Sequence, residues 1–255
     1  MNIIKQSQLG SLDFSNDLEF DARKHLLKLL KDTPILDDEL LSNLGLFLNS
    51  KNLSRIMVMN HLYEQIIDTM GVVMEFGTRW GQNMAIWTAL RGIYEPYNRH
   101  RKIIGFDTFS GFPDIDDKDG TSQLMKSGNL LLPANYDKYL EQVLLTQEKD
   151  NPLSHIKKFE IIKGDATETL SKYLDENPQT IISLAYFDFD IYAPTKSCFK
   201  QIKDRLVKGS VVAFDELNDK DSPGETTALM ESIALNSIRL KRYRYASRVS
   251  YFVVE

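Results

Sequence analysis

A chain of 255 residues, 42% hydrophobic and 26% charged, has the size and composition of one α/β domain able to bury a core, which excludes disordered and collagen-like chains. Its 31 basic and 36 acidic residues leave a net charge of −5, too little positive field to gather nucleic acid. A single cysteine, Cys198, excludes an internal disulfide and a cysteine-held zinc; no run approaches the roughly 18 apolar residues of a membrane span, and the opening MNIIKQSQLG lacks an apolar leader core. The expectation is a cytoplasmic protein without nucleic-acid or membrane partners.

In chain order, residues 1–70 read as helices of period near 3.6, marked by Leu26, Leu27, Leu29 and Leu30, then Leu40, Leu41 and Leu44, then Ile56, Met59, Leu62 and Ile66. They form an expected helical cap. From residue 71 onward short β-rich runs at 71–76, 102–107, 158–163, 181–188 and 210–215 alternate with helical patterns near 80–93, 166–176, 194–206 and 225–236. Such alternation predicts an α/β fold with a parallel sheet. The tail, basic and aromatic from Arg239 to Arg248 and β-rich from Val249 to Glu255, has no helix between its halves and predicts a terminal antiparallel hairpin. The alternating basic side chains then fall mostly on a solvated face rather than a nucleic-acid surface. Residues 108–157 interrupt the domain at 71–255 with an insertion long enough to serve as a lid.

Two strand ends suggest a cofactor. Val72 to Phe76 runs into Gly77-Thr78-Arg79-Trp80-Gly81, a glycine turn opening a helix, where a ligand can approach the backbone. Arg79 and Gln82 stand where a dinucleotide fingerprint needs glycines, and Glu75 would repel a phosphate. A ligand with a positive centre or an amine suits the turn better than a pyrophosphate. Asp107, followed by Thr108, closes the second strand and can accept bonds from both ribose hydroxyls. Asp165, followed by Ala166, closes the third; it can read an exocyclic amine, cap the following helix, or do both. Arg79 has two readings, a partner for a ligand carboxylate or an ion pair with Glu75.

The other half of the domain carries acids. Asp188-Phe189-Asp190 ends one apolar strand and Asp215-Glu216 the next, 27 residues later, the length of one crossover. Carboxylates converging this way repel, and a hard divalent cation with oxygen ligands relieves the repulsion. Mg²⁺ is expected, with Ca²⁺ or Mn²⁺ as alternatives. Without a metal, Asp188 would border the cofactor pocket and Asp190 would cap a helix.

Glu75-Phe76-Gly77 with Gly81, Gly105-Phe106-Asp107-Thr108-Phe109 with Gly111-Phe112-Pro113, Asp188-Phe189-Asp190-Ile191-Tyr192 with Pro194-Thr195, and Val207-Lys208-Gly209 before Asp215-Glu216 resemble the macrocin O-methyltransferase family. The resemblance covers about residues 55–254 and implies a Rossmann-like class I methyltransferase that moves a methyl group from S-adenosylmethionine to a sugar hydroxyl. It assigns Glu75, Gly77, Thr78, Arg79, Gly81, Asp107, Thr108, Asp165, Ala166 and Asp188 to the cofactor, and Asp188, Asp215 and Glu216 to Mg²⁺. Glu216 departs from the usual second aspartate, and residues 219–227 depart from the family's common segment. The implied mechanism binds two vicinal acceptor oxygens on the cation, with Asp188 as base and His61 and His155 as weaker candidates. A small-molecule or glycan acceptor and a homo-oligomer are expected. Two other readings stay open: a catechol-type phenol acceptor, and a cofactor-binding assembly protein without chemistry.

Overall fold

Five runs of β-branched and aromatic residues form the parallel core of the computed structural model, which describes residues 5–6, 12–13, 15–246 and 248–255. These strands are β1 (Val72–Phe76), β2 (Ile103–Asp107), β3 (Phe159–Lys163), β4 (Ile182–Phe187) and β5 (Leu206–Phe214). The expected hairpin follows as β6 (Lys241–Arg242) and β7 (Ser250–Val253), with β7 antiparallel to β5. The order across the sheet is β3-β2-β1-β4-β5-β7-β6. The chain winds outward from β1 to β3 and then returns to place β4 on the other side of β1, so the connections diverge at the β1/β4 pair. Open α/β sheets bind ligands at such a point, beyond the carboxyl ends of the strands.

Helices cover both faces. On one lie α2 (Ser50–Glu64), α3 (Gln82–Tyr94) and α4 (Tyr136–Asp150), packed on Val73, Ile103, Leu184, Tyr186, Val211 and Ala213. On the other lie α5 (Ala166–Glu176), α6 (Tyr192–Ile202) and α7 (Gly224–Ser232), packed on Met74, Ile104, Ala185 and Val212. Strand alternation sends neighbouring residues to opposite layers, so strands buried on both faces read as continuous apolar runs.

The last position of each central strand fixes the functional edge. Phe76 is in register with Phe106 and Phe187, and Phe187 with Phe214. Their rings stack at 5.3, 4.7 and 5.0 Å between centroids, and all four are fully buried. Such cross-strand aromatic contacts add to area burial and oppose a slip of register. The next residues, Asp107, Gly77, Asp188 and Asp215, therefore emerge side by side. The ladder continues one bond further, with Gly77 N donating to Phe106 O at 2.9 Å, Asp188 N to Phe76 O at 2.7 Å and Asp215 N to Phe187 O at 2.9 Å.

The amino-terminal helices are less integrated than a cap over the strand ends would require. α1 (Asp17–Lys31), the short helix Asp37–Leu40 and the 3₁₀ segment Leu41–Phe47 contribute no buried side chain among the described residues. Among the described residues of this region, α2 docks through buried Val58, Met59, Leu62 and Tyr63. The leading residues 1–4, 7–11 and 14 of the expected cap, and with them most of the MNIIKQSQLG segment, lie outside the described residues. Within 108–157, α4 joins a helical layer, whereas the preceding loop closes on a small cluster of Phe112, Met125 and Ile191.

Candidate active site at the carboxyl edge of the sheet

A cleft opens over the β1/β4 divergence, lined from the cofactor half by Gly77, Arg79, Asp107, Thr108, Asp165 and Ala166 and from the acidic half by Asp188, Phe189 and Asp190. The loop after β2 supplies a wall of Gly111, Phe112, Pro113 and Leu130. At Gly77, with φ +95°, a Cβ would stand 2.0 Å from the Asp188 carbonyl oxygen. Only glycine lets the β1 turn and the β4 end approach this closely.

Asp107 is held by the turn it faces. Its Oδ2 accepts from Arg79 N and its Oδ1 from Phe109 N, each at 2.6 Å. Burial pushes its carboxyl above the ordinary range against these backbone bonds. The carboxylate is thus oriented at the cleft wall with lone pairs to spare for a diol. Asp165 is the N-cap of α5, its Oδ1 accepting from Thr167 N at 2.8 Å, and it also borders the cleft.

Glu75, Thr78 and Gly81 do not line the cleft. Glu75 shares its strand face with Val73, so its side chain goes under α3, where Oε1 accepts from Asn83 Nδ2 at 2.7 Å. Burial pushes its carboxyl up to about 8. Thr78 is buried in the turn, and Gly81, at φ +73°, starts α3 with Leu140 packed where a Cβ would be.

The acidic residues divide into two sets. Asp188 and Asp215 converge on one cation, the Arg55 guanidinium delivered by α2: Nη2 donates to Asp188 Oδ2 at 3.2 Å, and Nη1 makes a close ion pair with Asp215 Oδ1. Tyr186 Oη donates to the same Asp215 oxygen at 2.6 Å. Burial pushes Asp215 up, but Arg55 and Arg248 outweigh it and hold the carboxyl below its ordinary value; burial and the Asp215 charge push Asp188 well above. Glu216 is turned away, paired with Arg248 and accepting from Ser222 Oγ.

The second set is Asp190 and Glu225. Glu225 Oε1 accepts from Phe189 N at 3.0 Å and Asp190 N at 3.3 Å, holding Asp190 in a left-handed conformation at φ +63°. Asp190 Oδ1 and Glu225 Oε2 are buried without a hydrogen-bond partner among the described residues. Burial and the Asp215 charge push Asp190 up to about 7. Asp190 therefore does not cap the following helix; it faces the cleft.

His61 lies elsewhere, with Nε2 2.8 Å from Tyr251 Oη and its ring against Tyr243; His155 is exposed before β3. Trp87 is fully buried core.

The donor chemistry suits Mg²⁺ at Asp188 and Asp215: two inward oxygens of opposed carboxylates on adjacent strands, with a cation already between them. Among the described residues no three His, Cys, Asp or Glu side chains come close enough to hold an ion together, because Glu216 points to Arg248. The remaining ligands would come from water or an acceptor, as is usual for Mg²⁺.

A comparison with protein-family models finds no match, and neither does one with curated proteins. Solved structures do match. A structure of CalS11, a calicheamicin methyltransferase, is 41% identical, covers 94% of this chain and 93% of its own, and superposes with a TM-score of 0.92. An apo structure of CalS11, described as a TDP-rhamnose 3'-O-methyltransferase of calicheamicin biosynthesis, is 38% identical over 94% of this chain and 95% of its own, with a TM-score of 0.84. The O-methyltransferase NovP shares the fold, at 16% identity over 78% of this chain and 79% of its own, with a TM-score of 0.58.

Proposed function

From the premise that the chain belongs to the macrocin O-methyltransferase family of S-adenosylmethionine-dependent sugar O-methyltransferases, we propose that it methylates a sugar hydroxyl in natural-product assembly, with a nucleotide-linked deoxyhexose as the first acceptor to try. The activity of CalS11 on TDP-rhamnose supports that acceptor. The observation that carries the reading in this chain is the row of Asp107, Gly77 and Asp188 along one cleft that Asp190 also lines, with Asp215 ending the strand next to Asp188.

The roles follow from position. Asp107 would hold the ribose hydroxyls and Asp165 the adenine amine, while Gly77 admits the cofactor against the backbone. Arg79 would meet the cofactor carboxylate at the same wall. Glu75 would act as a positioning residue through Asn83, and Thr78 and Gly81 by shaping the turn. S-adenosylmethionine supplies the electrophilic methyl group. Asp190 would take the proton from the acceptor hydroxyl, because it lines the cleft and its Oδ1 has no hydrogen-bond partner among the described residues, while both Asp188 and Asp215 are engaged by a cation. Mg²⁺, held by Asp188 and Asp215 and joined by Glu216 only if Arg248 releases it, would supply a lowered acceptor pKa and a fixed orientation. The wall around Phe112 would exclude water.

Purified protein should be assayed with S-adenosylmethionine against TDP-linked deoxyhexoses and against catechol, after chelation and again with added Mg²⁺. Methyl ethers are expected on the sugar alone, lost on chelation and regained with Mg²⁺. Methylation of catechol alone would shift the acceptor class, and full activity in excess chelator would remove the metal.

A further inference from the structure

The seat between β4 and β5 is filled by this chain's own guanidinium, and we propose that Arg55 is an internal competitor for the divalent cation: it holds Asp188 and Asp215 until an ion displaces it. The inference rests on the magnesium reading above and adds a residue which that reading does not contain.

Three observations carry it. First, the contacts are directed at the oxygens an ion would need. Arg55 Nη2 takes Asp188 Oδ2 and Nη1 takes Asp215 Oδ1, with Tyr186 Oη a further 2.7 Å acceptor for Nη1. A guanidinium and a divalent cation cannot share these oxygens, because both are cations and, with Asp215 buried and Asp188 half-buried, their repulsion is only partly screened. Second, Arg55 comes from outside the sheet. Its helix, α2, is anchored at its second half by Val58, Met59, Leu62 and Tyr63, whereas the Arg55 side chain, in the first half, is 27% exposed. The side chain can swing outward without unpacking the helix. Third, no other basic side chain enters the seat among the described contacts; Arg248 is engaged by Glu216 at the rim.

The consequence is a selectivity device. A monovalent or weakly held ion cannot replace a guanidinium bonded to both carboxylates and a tyrosine, whereas an ion that brings acceptor oxygens with it can. Apparent ion affinity of the free enzyme is reduced by the fraction of molecules in which Arg55 has left the seat.

The test is Mn²⁺ binding, followed by loss of the free-ion paramagnetic resonance signal, to wild-type protein and to Arg55→Gln without cofactor or acceptor. The variant should bind roughly tenfold tighter or more, as expected if Arg55 vacates the seat about a tenth of the time or less. Affinities equal to within about twofold, or weaker binding by the variant, overturn the proposal. Binding by neither protein overturns it together with the magnesium reading, a result distinct from equal binding by both. Because Arg55→Gln leaves two carboxylates facing each other, wild-type protein with ¹⁵N-labelled arginine provides a second readout. Mg²⁺ should move the Nη–H resonances of one arginine from slow to fast water exchange, and an arginine spectrum unchanged once ion binding saturates would overturn the proposal without any variant.

Discussion

Glu75 shows how one side chain departs from what its position in the sequence suggests. A carboxylate just before a glycine turn promises a ligand contact, yet strand alternation sends it under α3 to Asn83, where burial pushes it up to about 8. Because the folded state then holds a proton that the unfolded chain releases near its ordinary value of about 4.3, stability must fall as pH rises from about 4.3 to about 8 and stay low above. Glu75→Gln removes that slope. Melting curves of both proteins at pH 5 and pH 8.5 should show the variant gaining on wild type only at the higher pH; an equal difference at both values would mean Glu75 is ionised throughout. Asp107, Asp165 and Asp188 were legible because each ends a strand and the cleft lies at the strand ends. Asp190 was not assigned to the cleft, because its reach depends on a left-handed backbone that Glu225 imposes from 35 residues away.

At the scale of elements, the strands were legible because burial on both faces leaves an unbroken apolar run. Their register was also written in the sequence, as four phenylalanines each followed by a residue at the carboxyl edge of the sheet: Phe76-Gly77, Phe106-Asp107, Phe187-Asp188 and Phe214-Asp215. A repeated aromatic at strand ends is a signal that alternation alone does not use. Helix periodicity in residues 17–49 told which face is apolar but not what covers it, and Leu18, Leu36 and Leu41 remain exposed. The docking of α2 depends on a residue outside it. Arg101 reaches the carbonyls of Ile66 and Thr69 after α2 and of Gly71 before β1, while pairing with Glu95 at 2.8 Å. Arg101→Ala would leave Glu95 buried without its cation, a loss of about 3–5 kcal/mol. Denaturant unfolding measures this; a loss under about 1 kcal/mol would show that Glu95 reaches solvent or another partner.

For the whole molecule, the division of labour follows the strand order. In the proposed reading β1, β2 and β3 end in the residues that would hold the nucleoside and β4 and β5 in those that would face the acceptor, and the two halves meet where the winding reverses. The family was recognisable in the sequence because those strand-end motifs are short and local, whereas the Arg55 contact joins residues 133 and 160 positions apart and exists only in the fold. No described helix is long and apolar enough to cross a membrane. The assignment of chemistry to this edge is tested most directly by Asp190→Asn, assayed with ¹³C-methyl S-adenosylmethionine and the accepted sugar while cofactor affinity is measured by calorimetry. Cofactor binding should be unchanged and methyl transfer slowed about 10²- to 10⁴-fold, the usual contribution of a positioned base; transfer at the wild-type rate would contradict the account.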